Sequence, residues 1–159
     1  MILGVDQSFS CTGLCLFDGN EHIFSTTQTV PDKEDKLEKF KRAKYIAKEI
    51  SELCMIHGVT DVRIEGLAMG KAIGNSTRDL AGLQYVIVNE LMENHPETSI
   101  TIITPTSLKK FATGKGNAKK DGMFESLPEN IQDVLMGYPK TKGRFDLADA
   151  YWLAMFKEE

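Results

Sequence analysis

Residues 2–30, ILGVDQSFSCTGLCLFDGNEHIFSTTQTV, decide the fold. Residues 1–6, MILGVD, are a short apolar run ending on an acid, the pattern of a buried strand. Residues 12–18, TGLCLFD, form a second run of this kind. Asp18-Gly19-Asn20 is a turn signal, and residues 21–30 read as a third strand. Connections this short join only antiparallel neighbours, so the chain opens on a three-stranded meander.

Downstream the pattern changes period. Leu37, Phe40, Ala47, Ile50 and Cys54 lie on one stripe of a helix predicted from Lys33 to His57, and Gly58 stops it. Thr60–Glu65 is a short strand, again ending on an acid. Residues 66–75, GLAMGKAIGN, are a glycine-rich loop. Ser76 and Asp79 make a capping pair for a helix that runs to about Asn94, where His95-Pro96 ends it. Ser99–Ile103 is a fifth strand, and Thr104-Pro105 opens a short helix broken at Gly114. Helices near 118–127 and 129–136, a basic loop PKTKGR and a final helix complete the chain.

The order βββ-α-β-α-β-α, followed by helices, predicts an α/β mixed sheet. Three antiparallel strands are joined by two that arrive through helical crossovers, with helices on both faces. That is the order of an RNase H-like fold. No repeat, low-complexity tract or linker divides residues 1–159, so one domain is expected.

Composition narrows the function. No apolar run is long enough to span a membrane, and MILGVDQS has no signal-peptide character. Cys11, Cys15 and Cys54 are too few for a disulfide framework and find no histidine at zinc spacing, so a reduced, cytoplasmic setting without zinc is expected. The net charge of −4 gives no global sign of a polyanion partner. Residues 109–144, however, hold eight Lys and Arg against four Asp and Glu, a local excess of basic charge.

Four acids stand out. Asp6 and Glu65 end apolar strands, and Asp146 and Asp149 sit three apart in the apolar run FDLADAYWLA, residues 145–154. In the predicted sheet the first and fourth strands are neighbours, and strand ends are where sites form in α/β folds. The final helix would lay Asp146 and Asp149, on one face, across Asp6 and Glu65. The competing reading makes Asp146 the helix N-cap, with Asp149 in the first turn. Four converging carboxylates need cations. Hard ions with oxygen ligands, Mg²⁺ or Mn²⁺, answer that need, and two of them form a clamp for phosphodiester hydrolysis.

Taken in order, these segments resemble the RuvC family of Holliday-junction resolvases, particularly its short phage-type members. ILGVDQSFSCTGLCLFDG resembles the opening strand–loop–strand with its leading aspartate. VRIEGLAMGKAIGNSTRDLAGLQ resembles the segment carrying the second acid and the interface helix. ITPTSLKKFATGKGNAKKDGM resembles the lysine segment, and FDLADAYWLA the terminal acid pair. The resemblance spans nearly the whole chain and implies a metal-dependent endonuclease that cuts branched DNA in pairs of symmetric cuts. It implies that Asp6, Glu65, Asp146 and Asp149 bind metal, that Lys120 stabilises charge at the scissile phosphate, and that Lys109 contacts DNA. Lys110 and Lys119 lie beside these two lysines and compete for the assignments. Lys115, Lys119, Lys71 and Met69 are further candidates for DNA contact. A homodimer is implied as well, with the helix from Ser76 as its interface. Leu80, Leu83, Ile87 and Leu91 form a stripe on that helix which core packing would explain equally well. A phage-encoded member would work in the cytoplasm of a bacterial host.

One position departs from the family. Where bacterial members carry an aromatic residue after the second acid, this chain has Ala68 beside Met69, so its sequence preference at the cut is open. Met69, Lys71 and Ile73 are candidates to wedge against the junction instead. Three rival readings remain. GVDQSFSCTG also resembles the first phosphate loop of actin-like ATPases and sugar kinases, but that fold needs two such domains; GKGNAKK lacks Walker A spacing, so no nucleotide cofactor is expected. A catalytically inactive junction-binding scaffold is opposed by the complete acid set. An RNase H acting on hybrids is opposed by the lysine segment and the terminal acid pair.

Overall fold

The computed structural model describes residues 1–67 and 74–158. Five strands form one sheet: β1 (Ile2–Asp6), β2 (Cys11–Phe17), β3 (His22–Gln28), β4 (Asp61–Glu65) and β5 (Ser99–Ile103). Their spatial order is β3-β2-β1-β4-β5. The β1–β2 and β2–β3 pairs are antiparallel, and β1–β4 and β4–β5 are parallel. This is the sheet the element order predicts. The described helices are α1 (Glu38–His57), α2 (Asn75–Asn94), α3 (Pro105–Thr113), α4 (Lys120–Glu125), α5 (Glu129–Met136) and α6 (Arg144–Met155).

Alternation along the strands assigns the two faces. Leu3, Val5, Leu14, Leu16, Val62 and Ile64 join the core cluster beneath α1 and α2. The intervening residues face α6, among them Gly4, Gly13 and Cys15. Asp6 and Glu65 share the parity of this second set. Whatever lies along α6 therefore meets their carboxylates.

Two glycines let α6 lie directly on the sheet. A Cβ on Gly4 would stand 2.7 Å from the backbone nitrogen of Ala154 and closer still to the carbonyl oxygen of Ala150. One on Gly13 would stand 2.5 Å from the carbonyl carbon of Asp146. Buried Ala148, Ala150 and Ala154 complete the close approach from the helix side. Arg63 on β4 fastens the far end of α6, donating to the carbonyls of Ala154 at 2.8 Å and Phe156 at 2.7 Å. From the outer side, Leu127, Ile131 and Leu135 pack on α6, and Trp152 donates to the Met123 carbonyl of α4 at 3.0 Å.

Several boundaries differ from expectation. α1 starts at Glu38 rather than Lys33. The Asp32 side chain accepts from the Glu34 N–H and that of Asp35 from the Leu37 N–H, holding the segment in local turns that compete with helix. The Ser76–Asp79 capping pair does not form: Gly74 is the N-cap, and Asp79 instead pairs with Lys39 of α1 at 2.6 Å. Along the α2 stripe, Leu83, Ile87 and Leu91 are fully buried with α1, and Leu80 packs beside them. The core reading holds for Leu83, Ile87 and Leu91, whose side chains are not free to form an interface, while Leu80 is half-buried.

Candidate active site

Asp6 ends β1, opposite Gly13 of β2, and Glu65 ends the adjacent parallel strand β4. α6 crosses above Gly13, which places Asp146 and Asp149 over the same strand ends. All four acids line one cleft of about 860 Å³. Lys109 of α3, Lys119 and Lys120 at the start of α4, and Lys142 of the basic loop line it too. The sheet and α6 thus supply the negative floor, and the segments around them a positive rim.

Helix α6 begins at Arg144, so Asp146 is its third residue and not its N-cap. Its Oδ2 accepts the Gly143 N–H at 2.9 Å. Gly143 has φ of +119°, in the region that favours glycine. The N-cap expectation fails, and Asp149 lies beyond the first turn; from the third helical position one Asp146 carboxylate oxygen still satisfies the helix start, while the residue is part of the cleft lining.

Burial dominates the electrostatics. Asp6 is only 8% exposed. Burial pushes its carboxyl well above the ordinary range, and the Asp149, Glu65 and Asp146 charges push it further, against a lowering by Lys120. Glu65 is raised by burial, opposed by Lys109 and Lys120 and by a hydrogen bond with Asp6. Asp149 is raised to about 7, first by burial and then by the charge of Glu65. Among the described residues the ion pairs engage Asp35, Glu38, Glu52, Asp61, Asp79 and Asp121, and none of the four cleft acids. Nor do three His, Cys, Asp or Glu side chains among the described residues stand as a ready-made ligand set. The donor set is all oxygen and anionic, which suits a hard divalent cation and no soft metal.

Other predicted positions fall differently. Lys110 points away from the cleft and lines a smaller pocket with Phe111 and Phe156. Lys115 is exposed in the turn after α3 and is not part of the cleft lining. Ala68, Met69, Lys71 and Ile73 lie outside the described residues. Sequence reasoning missed Gln7, Cys11 and Lys142 as cleft residues. Gln7 and Cys11 flank the loop between β1 and β2, so their nearness to Asp6 was available; the aim of Lys142 depends on how the basic loop folds back.

An acid floor under a lysine rim thus stands on a mixed sheet of RNase H-like order. The chain belongs to the family described as crossover junction endodeoxyribonuclease RuvC, whose model matches residues 2–155. Its class of activity is accordingly that of an endonuclease that resolves Holliday junctions. Comparison with curated protein sequences gives no match. Among solved structures the fold is similar to RuvC of Thermus thermophilus, with TM-score 0.68 and 15% identity over 97% of this chain and 90% of that one. The same organism's RuvC in complex with a Holliday junction substrate gives TM-score 0.70 and 16% identity, with the same coverage. The yeast mitochondrial Holliday junction resolvase gives TM-score 0.60 and 13% identity over 96% of this chain and 75% of that one.

Proposed function

We propose that residues 1–159 act as one nuclease domain that cuts four-way and related branched DNA in paired cuts. The expected products carry 5′-phosphate and 3′-hydroxyl ends, in DNA recombination and repair or in the processing of replicated phage DNA. The observation that carries this reading is the convergence of Asp6, Glu65, Asp146 and Asp149 in a cleft rimmed by lysines. In this reading the four carboxylates hold Mg²⁺, or Mn²⁺ in its place, as two ions per site. Bound there, the cations supply counter-charge and the Lewis acidity that activates water against a phosphodiester.

The chain's own groups divide the remaining work. Lys120 stabilises charge at the scissile phosphate, and its field already reaches Asp6, Glu65 and Asp149. Lys109, Lys119 and Lys142 hold flanking phosphates, which fix register without reading sequence. Lys115, Lys71 and Met69 remain proposed DNA contacts beyond the cleft. Paired cutting calls for a homodimer. Tyr85 and Met92 support one: they are 77% and 63% exposed and seven residues apart on one stripe of α2. Three free, buried cysteines fit a reducing cytoplasm, and among the described residues no helix is long and apolar enough to cross a membrane.

Incubation with four-way, three-way and linear duplex DNA in Mg²⁺ tests the reading. Four-way DNA is expected to be cut in symmetric pairs, linear duplex to stay intact, and Asp6→Asn to abolish cutting. Equal cutting of all three substrates, or full activity in Asp6→Asn, would overturn it.

A further inference from the structure

Beside the four acids the cleft holds a polar group that their chemistry leaves unused. Gln7 follows Asp6 at the end of β1 and is only 7% exposed. Its Nε2 donates to the backbone carbonyl of Glu65 at 3.1 Å. Gln84 of α2 donates to the same carbonyl at 3.2 Å. The Glu65 oxygen has only lone pairs to offer, so the Gln7 atom facing it is the NH₂ and the other is the amide oxygen. That oxygen, Oε1, is buried and has no hydrogen-bond partner among the described residues.

A buried, unmade hydrogen bond is costly and calls for a reason. The other such atom among the described residues, Asp61 Oδ1, belongs to a carboxylate whose second oxygen already takes two N–H groups of Arg63. Gln7 has no such compensation, and it lines the cleft. A lysine of the rim would suit an amide oxygen, yet none bonds to it. No described residue supplies its partner, and the neighbours it has in the cleft are the acids. An amide oxygen is a hard, neutral acceptor of the kind that joins carboxylates around divalent cations, either directly or through a bound water. The two acids nearest to it along the chain and across the hydrogen bond are Asp6 and Glu65.

We propose that Gln7 is a positioning residue with two separate jobs: its NH₂ locks the end of β4, and its Oε1 accepts from, or ligates, the hydrated divalent cation in the cleft. The inference rests on the cation reading of the cleft. Both amides clamp the Glu65 carbonyl, but only Gln7 belongs to the cleft lining, so only its spare oxygen stands beside the acids. Gln84→Met therefore removes clamping alone, while Gln7→Met removes clamping and the oxygen. Gln7→Glu removes the donor and keeps an oxygen.

Mn²⁺ is titrated calorimetrically into DNA-free wild-type protein and each variant, with thermal melting measured alongside. Gln7→Met and Gln84→Met are expected to melt alike, and Gln7→Met to bind Mn²⁺ about tenfold more weakly than Gln84→Met, the scale of a lost supporting partner at a metal site. Gln7→Glu is expected to bind at least as tightly as wild type. Equal affinities for Gln7→Met and Gln84→Met would reduce Gln7 to a clamp and overturn the proposal. Should Gln7→Met fail to fold, Gln7→Glu decides: weakened binding overturns the proposal and retained binding supports it. If wild type and Asp6→Asn bind Mn²⁺ indistinguishably, the cation reading of the cleft fails and takes this inference with it. If they differ and Gln7→Met matches Gln84→Met, only the inference fails.

Discussion

Replacing Gly13 by alanine adds one methyl group beneath the start of α6 and is expected to disable the cleft from outside it. The new Cβ would lie 2.5 Å from the Asp146 carbonyl carbon and 3.0 Å from the Leu147 nitrogen, where ordinary contact begins at 3.4 Å. The obstacles are backbone atoms, so no rotamer change relieves them. The Asp146 carbonyl oxygen would lie closer still, so the first turn of α6 must retreat by at least about 0.9 Å, and it carries Asp146 with it. Overpacking of this kind costs roughly 1–3 kcal/mol. For a chain of this size that lowers Tm by roughly 2–4 °C per kcal/mol, so a fall of about 2–12 °C is expected with the fold retained. A misplacement near 1 Å at a reacting centre costs on the order of a hundredfold in rate. Junction binding rests on the lysine rim and should change less than threefold. Single-turnover cleavage of a labelled four-way junction, junction binding without Mg²⁺, and thermal melting read the three quantities separately. Gly82→Ala is the control, because its Cβ would meet nothing within 4 Å and its position in helix α2 favours alanine. Wild-type cleavage and melting in Gly13→Ala would refute the claim that contact between α6 and the sheet sets the acid geometry.

The raised carboxyls make stability depend on pH with a definite sign. Asp149 sits at about 7 in the fold against an ordinary value of 3.8, so the folded state holds its proton more tightly. The stabilisation is complete below about pH 4 and is lost as pH rises through 7. In EDTA the contribution of Asp149, read as wild-type Tm minus that of Asp149→Asn, should fall between pH 5 and pH 8, and Mg²⁺ should restore wild type at pH 8. A contribution that grows with pH in EDTA would contradict the burial. Asp146→Asn retains an acceptor for the Gly143 N–H and should keep its Tm within about 2 °C while losing cleavage; Asp146→Ala should lose cleavage and about 1 kcal/mol besides. Full cleavage by Asp146→Asn would leave Asp146 a cap alone. Tyr85→Arg should turn a dimer into a monomer in light scattering and uncouple the paired cuts, and an unchanged mass would remove this stripe of α2 from the interface.

What the sequence made legible is what short-range rules govern. Strand parity fixed the faces of Asp6 and Glu65, because alternation along ILGVD and VRIE leaves those acids on the side opposite Leu3, Val5, Val62 and Ile64. Sheet order followed from connection lengths, and with it the adjacency of β1 and β4. The start of α1 escaped prediction because the Asp32 and Asp35 side chains offered the backbone local bonds that a hydrophobic stripe does not reveal. The α2 stripe was ambiguous for a deeper reason. Period 3.6 marks a face to be covered and says nothing of whether α1 or a second copy of the chain covers it.

The pair Asp146 and Asp149 shows the limit most clearly. Capping and site chemistry looked like alternatives when only one helix was in view. In three dimensions they are compatible, because a carboxylate has two oxygens and the helix start uses one. Gly4 and Gly13 belong to the same lesson. In sequence they are unremarkable strand glycines, which ordinarily weaken a strand. Their reason lies in α6, whose backbone occupies the space where their side chains would be. The acid cluster therefore depends on absent atoms in β1 and β2 as much as on the acids themselves. A chain that kept all four carboxylates and filled Gly13 would retain the motif and lose the site.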